Sequence, residues 1–319
     1  MLVIRGAAVA FAVLSMLVAP AALAQAYPAR PIRIIVGPGP DILSRIIGQK
    51  FTDAWGQQAV IDQRPGAGGT ISAEITARAT PDGYTLLMMT SAYTINVVLQ
   101  PSSYDLVKDF APIAWCATSP YILVVNPSIP ARTLQELLAL AKARPGQLNY
   151  SSSGNGTGPH LAGEMLKSMA GINIVHVPYK SAVPAIVDVI SGQVQMNFPI
   201  APIALSHIQT GKVRALAITS SKRSRLVPDI PTIAESGFAG YEAIGWNGLV
   251  APAGTPKAIV RKLNGEVMRA LKQPAILQRF VDAGWEPAAE NTPEWFADLI
   301  KREIAKWAKV VKETGAKID

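Results

Sequence analysis

Apolar and polar positions along this chain fall into two kinds of block. Short apolar runs rich in β-branched side chains give way to turns, and then to longer stretches whose apolar positions recur every three or four residues. Ile32–Val36 is the first run; Gly37-Pro38-Gly39-Pro40 breaks it, and Asp41 caps a helix through about Phe51 with Ile42, Ile46 and Ile47 on one face. Gln58–Asp62 reads as a second strand, leading through Arg64-Pro65-Gly66-Ala67-Gly68-Gly69 into a helix from Thr70 to Ala79. Pro81-Asp82-Gly83 turns the chain into a third strand, Tyr84–Met89, that ends at Thr90-Ser91. Pro112–Cys116 and Tyr121–Val125 read as extended, and Thr133-Leu134-Gln135-Glu136 is a capping box opening a helix to about Arg144. Later strands are expected over Ile172–Val177, Gln193–Phe198, Val213–Thr219 and Ile244–Ala251. Helices are expected over Ala182–Ile190, from Thr255-Pro256 to about Leu271, and from Thr292-Pro293 to about Glu313. Strands alternating with helices imply parallel sheets, whose ligands gather at the carboxyl ends of the strands.

Within this pattern Leu148–Met165, LNYSSSGNGTGPHLAGEM, stands out. Leu148–Tyr150 reads as the end of a buried strand, Ser151–Gly158 as a glycine- and hydroxyl-rich turn, and Pro159 as a first-turn proline, with Thr157 or Gly158 as cap. Such a turn aims backbone N–H groups and the positive end of a helix dipole at one point, where a carboxylate or phosphate would sit. A tight strand-to-helix connection with nothing bound is the competing reading.

Two extended segments, near Tyr121–Val125 and Gly245–Val250, flank the middle of the chain. If both cross between lobes, residues 27–122 and 246–319 form one lobe and residues 123–245 the other, with a ligand-closed cleft between them.

Composition narrows the function. Met1–Ala26 has one charge, an apolar core from Gly6 to Val18 and small-x-small cleavage patterns, as a signal peptide has; the rest of the chain is then periplasmic. The formal net charge of +8 falls by one when Arg5 is removed. The basic residues are scattered, without the aromatic-laced stripe that nucleic-acid binding needs, and a mild positive field suits an anionic ligand. Cys116 is the single cysteine, so no internal disulfide can form, and His160, His176 and His207 lack metal-ligand spacing. No cofactor is implied.

The chain resembles the periplasmic solute-binding proteins of the tripartite tricarboxylate transporter (Bug or TctC) family over essentially all of its length after residue 26. The likeness rests on Arg64-Pro65-Gly66-Ala67-Gly68-Gly69, Pro81-Asp82-Gly83-Tyr84-Thr85-Leu86, Lys108-Asp109-Phe110-Ala111-Pro112 and Ser153-Gly154-Asn155-Gly156 with His160-Leu161-Ala162-Gly163-Glu164. His176-Val177-Pro178-Tyr179-Lys180 and Leu249-Val250-Ala251-Pro252-Ala253-Gly254-Thr255-Pro256 complete it. The resemblance implies a two-lobed α/β periplasmic-binding-protein fold (type II, Venus flytrap), each lobe a mainly parallel sheet flanked by helices. It also implies a monomer that passes a small carboxylate (a di- or tricarboxylate, an acidic amino acid or an aromatic acid) to the membrane subunits of a tripartite transporter. Two departures stand out: Val36-Gly37-Pro38-Gly39-Pro40-Asp41 is shorter than the family's first loop and lacks its aromatic, and Pro199 stands where the family often has Asp.

The candidate ligand-binding residues are Asp41, Gly68, Gly69, Thr90, Ser91, Ser152, Ser153, Asn155, Gly156, Thr157, His160, Tyr179 and Lys180. Several have structural alternatives: helix capping for Thr90 and Ser91, close helix–sheet packing for the glycines, loop bonding for His160 and solvation for Lys180. His176, within an apolar strand, reads as a satisfied core histidine. An enzyme is the rival class, since Ser153, His160 and Asp188 can be drawn as a hydrolytic triad, but no GxSxG elbow is present. A third reading is a sensor presenting its ligand to a signalling receptor.

Overall fold

The computed structural model describes residues 27–37, 39–289 and 291–316. The expected signal peptide and Pro38 of the shortened first loop lie outside the described residues.

The chain builds two sheets. The first contains β1 (Ile32–Val36), β2 (Ala59–Gln63), β3 (Thr85–Thr90), β4 (Phe110–Pro120), β10 (Ile244–Pro252) and β11 (Glu286–Pro287), in the order β11-β4-β10-β3-β1-β2. The second contains β5 (Ile122–Val125), β6 (Asn149–Ser152), β7 (Val175–Pro178), β8 (Met196–Asn197) and β9 (Arg214–Ile218), in the order β7-β6-β8-β5-β9. Helices α1 (Ile42–Trp55), α2 (Thr70–Ala77), α3 (Ser91–Leu99), α8 (Lys257–Ala270), α9 (Pro274–Asp282) and α10 (Pro293–Thr314) flank the first sheet. Helices α4 (Leu134–Ala143), α5 (Gly158–Ala170), α6 (Ala182–Ile190) and α7 (Ala201–Gln209) belong to the chain between β5 and β9. Among the described residues no helix is long and apolar enough to cross a membrane.

The fold is the expected two-lobed α/β arrangement, but its sheets are mixed rather than mainly parallel. β1 pairs in parallel with β2 and β3, whereas β10 runs antiparallel to β3 and β4, and β11 antiparallel to β4. In the second sheet β6 is parallel to β7 and β8, while β5 is antiparallel to β8 and β9. The antiparallel pairs arise because the chain crosses between lobes along β4–β5 and returns along β10. A strand that passes between sheets enters the second lobe without a crossover helix, and only crossover helices enforce parallel pairing.

Tyr121 alone separates β4 from β5. Thr219, just after β9, clamps it: Tyr121 N–H donates to Thr219 Oγ1 at 2.9 Å, and Thr219 N–H and Oγ1 both donate to Tyr121 O at 3.0 Å. Pro199, one of the two departures, lies beside this crossing and accepts from Ile122 N–H at 2.9 Å. Helix α10 packs on both lobes. Phe296 and Ile300 join the core of the first sheet with Tyr93 and Trp246, while Trp307 and Val310 join that of the second with Leu123, Tyr150 and Tyr241.

The local reading of the sequence is otherwise close. α6 and the start of α10 lie where expected, and Thr133 and Thr292 cap by accepting from Glu136 and Trp295 N–H, each at 3.2 Å. Asp41 stands at the N-cap of α1 without capping it; its carboxylate accepts from Arg45 at 2.6 Å and Gln63 at 2.7 Å instead. Strands β7 and β8 are shorter than the apolar runs that signalled them, and α7, α9 and β11 were not anticipated.

Candidate ligand-binding site

Helix α3 follows β3 directly, and α5 follows β6 through a five-residue turn; the two helices pack on each other at the interlobe crossing. Their N-termini meet around one hydroxyl. Tyr121 Oη is held by the Ser91 side chain at the first position of α3. The same oxygen lies 1.9 Å from where a Cβ on Gly158 would stand, at the first position of α5, so only glycine leaves room for it. Burial pushes this phenol up to about 12, which keeps it a neutral hydrogen-bonding group. Tyr121 was not among the sequence-derived candidates, because nothing in Pro120-Tyr121-Ile122 marks a tyrosine at a strand crossing as the floor of a site.

On the first lobe the candidates fall into two groups. Thr90 ends β3 opposite Asn247 of β10; its Oγ1 is buried without a partner, and the Asn247 side chain makes no hydrogen bond among the described residues. Gly68 and Gly69 form the turn before α2, with φ of 61° and 106°, a region in which a side chain is strained. Asn96 of α3 donates to Gly68 O, and Ser72 Oγ donates to Gly69 O at 2.7 Å while pairing with Tyr93 Oη at 2.7 Å. This contact replaces the simple helix–sheet approach expected of the glycines. Asp41 carries a charge that Arg45 neutralises, and that ion pair holds its carboxyl below the usual range.

On the second lobe most of the predicted hydroxyls are committed within the turn. Ser152 Oγ bonds Gly154 N–H at 3.1 Å, Gly154 O at 3.0 Å and His176 Nε2 at 2.6 Å. Thr157 is the N-cap residue, but its Oγ1 donates to Gly154 O at 2.7 Å rather than accepting from the helix. His160 Nδ1 accepts the Gly156 N–H at 3.0 Å, and its ring stacks on His176 with centroids 4.1 Å apart. His176 is half-buried rather than a core residue, and burial, reinforced by His160 and Lys167, pushes it down to about 3. Tyr179 Oη donates to Asp188, so that burial and the carboxylate raise the phenol to about 12. These contacts also leave the drawn Ser153–His160–Asp188 triad unassembled.

The second-lobe candidates without internal partners are Ser153, Asn155 and Lys180. Neither the Ser153 nor the Asn155 side chain makes a hydrogen bond among the described residues, and the N–H groups of Ser153, Asn155 and Gly158 likewise take no backbone partner. Lys180 is exposed and unpaired at the mouth of the turn before α6. The candidate site is therefore a set of neutral donors at two helix N-termini, with the exposed cation of Lys180 on the following turn; such a set suits an oxyanion with several acceptors. Among the described residues no group of three or more His, Cys, Asp or Glu could hold a metal ion. A cavity of about 540 Å³ lies elsewhere, between the starts of α8 and α10 and lined by Lys257, Arg261 and Glu294 among others.

Comparison with known proteins identifies the family. Residues 43–316 match the family model described as the tripartite tricarboxylate transporter family receptor. The protein BugT of Bordetella pertussis is 38% identical over 302 residues, covering 92% of each chain. A solved Rhodopseudomonas palustris protein with adipate superposes with a TM-score of 0.84 at 33% identity, over 92% of this chain and 100% of the other. MatC of Rhodopseudomonas palustris, with bound malate, gives a TM-score of 0.79 at 32% identity, over 89% of this chain and 100% of the other. With the model spanning most of the chain and relatives matched nearly end to end, this protein belongs to the tripartite tricarboxylate transporter receptor family.

Proposed function

We propose that this receptor captures a small carboxylate between its lobes, outside the cytoplasm, and delivers it to the membrane subunits of a tripartite transporter, without catalysis. Residues 27–122 with 246–319 and residues 123–245 are the moving units. The observation that carries this reading is the convergence of the α3 and α5 N-termini on Tyr121, with Ser153, Asn155 and Thr90 bearing unpartnered polar groups around it. One ligand carboxylate sits against the Ser153–Gly158 turn and the start of α3, and Lys180 steers the anion and stays solvated. The malate and adipate of the two solved relatives favour a di-acid over a tricarboxylate or an aromatic acid.

A thermal-shift and calorimetric screen against malate, adipate, acidic amino acids, tricarboxylates, aromatic acids and neutral controls tests the reading. A true ligand at about 100 times its dissociation constant stabilises the folded protein by roughly 2.7 kcal/mol. Replacing Ser153→Asp places a negative charge at the turn, and is expected to abolish binding while the melting temperature of the unliganded protein changes little. Stabilisation by neutral controls but by no carboxylate, or unchanged affinity in the aspartate variant, refutes the assignment.

A further inference from the structure

We propose that His160 and His176 are positioning residues for the ligand turn Ser153–Gly158, acting as a stacked pair that determines which backbone N–H groups of the turn face the cleft. The inference rests on the carboxylate reading above and adds to it the device that shapes the site.

The argument starts from hydrogen-bond direction. Gly156 N–H donates to His160 Nδ1 at 3.0 Å, so Nδ1 is bare and the ring carries its proton on Nε2. The Gly156 N–H therefore points away from any bound anion, although the glycine lies in the middle of the turn. Gly156 has φ of 71° and Gly154 of 127°, so the turn runs through backbone conformations that non-glycine residues rarely adopt and needs external ties to hold one shape.

The second tie runs through His176. Its ring lies face to face on His160, with an interplanar angle of 17°, and its Nε2 is 2.6 Å from Ser152 Oγ. Ser152 in turn grips both the N–H and the carbonyl of Gly154. Gly156 and Gly154 are thus each held by an imidazole, the first directly and the second through a single hydroxyl. What remains is the set Ser153, Asn155 and Gly158, whose N–H groups take no backbone partner among the described residues.

The surroundings keep His176 neutral. Tyr150 of β6 packs 4.8 Å from the His176 ring and donates to Glu164 of α5 at 2.6 Å, and Glu164 is paired with Lys167 at 2.8 Å. Lys167 opposes a positive charge on His176. A protonated Nδ1 on His160 would present a donor to the Gly156 donor and open the turn.

Calorimetry with malate and adipate, together with hydrogen exchange of the Gly156 amide by NMR on the full chain, provides the test. His160→Ala is expected to weaken binding about tenfold or more and to strip protection from Gly156, the loss of one positioned hydrogen bond. His160→Asn, whose Oδ1 can stand where Nδ1 stood, is expected to restore affinity to within about threefold and to restore protection. It should do so even though it lacks the stacked ring and melts as low as the alanine variant. Equal affinity losses in both variants, tracking their melting temperatures, would make the histidines mere packing and overturn the proposal. So would rapid exchange of Gly156 in the unaltered protein. If that protein binds no carboxylate at all, the functional reading fails, and Gly156 protection across the same variants still tests the positioning role by itself.

Discussion

At Gly158 the lack of a side chain makes room for the Tyr121 hydroxyl. A methyl group there would stand 1.9 Å from Tyr121 Oη and 2.4 Å from Tyr121 Cζ, and the tyrosine is pinned by Ser91 and by the Thr219 clamp. Gly158→Ala is therefore expected to cost about 1–3 kcal/mol in urea unfolding, as overpacking does, and to weaken ligand binding as well. Unchanged stability would mean that Tyr121 can move and is not the floor. His176 sets a second residue-scale behaviour. Its folded-state value, about 3, is below the ordinary 6.5, so the unfolded chain takes up a proton in a range where the folded protein does not. The stabilisation is full above about 6.5 and is lost as pH falls from there toward 3, whereas Asp41, Asp62 and Asp105, all lowered, act only below the usual carboxylate range. Melting curves from pH 7 to 4 should fall for the parent chain and flatten for His176→Gln; parallel curves would contradict this. The sequence offered His160 and His176 as residues, but which atoms they bind depends on rings brought together from α5 and β7, and spacing along the chain cannot reveal that.

Helix α10 illustrates how elements were readable and their roles were not. Thr292-Pro293 marks its start unmistakably, and Thr292→Ala should cost about 1 kcal/mol of stability with no change in ligand affinity, since the cap lies on the first lobe far from Tyr121. Its apolar residues, however, divide in a way periodicity does not show. Ile300 and Trp307 are buried, while Trp295 is 40% exposed, tilted against Trp115 at 33° with the Arg302 guanidinium over its ring. Between the two buried sections sits Glu303, 6% exposed, accepting the indole N–H groups of Trp246 and Trp307 at 3.2 Å each and paired with Lys306 at 2.5 Å. This carboxylate ties α10 to the returning strand β10 beside the crossing. Glu303→Ala should destabilise by about 3 kcal/mol, because two buried donors and a cation lose their shared acceptor. Glu303→Gln retains an acceptor and should recover part of that, which equilibrium unfolding of the two variants would check.

At the scale of the whole molecule, two backbone crossings and one helix connect the two sheets. Only Tyr121 and the stretch before Ile244 carry the backbone between sheets, and α10 packs on both. The proposed capture between lobes requires this connection to bend. If closure accompanies binding, small-angle scattering should register a smaller radius of gyration with a bound di-acid than without; an unchanged value alongside tight binding would mean a cleft already closed.

What the sequence determined by itself is most of the elements and their order, because apolar periodicity, glycine–proline punctuation and threonine caps act within a few residues of one another; α7, α9 and β11 escaped it. The family likeness was equally plain, carried by ordered short motifs from Arg64 to Pro256. Tertiary structure alone decided the mixed sheets, since antiparallel pairing follows from strands that cross between lobes. It alone also separated committed polar groups from available ones: Ser152, Thr157 and Tyr179 are spent on partners inside the lobe, while Ser153, Asn155 and Lys180 are not. Hydroxyls and glycines next to each other in sequence look alike as donors; only the packing around them fixes which way each one points.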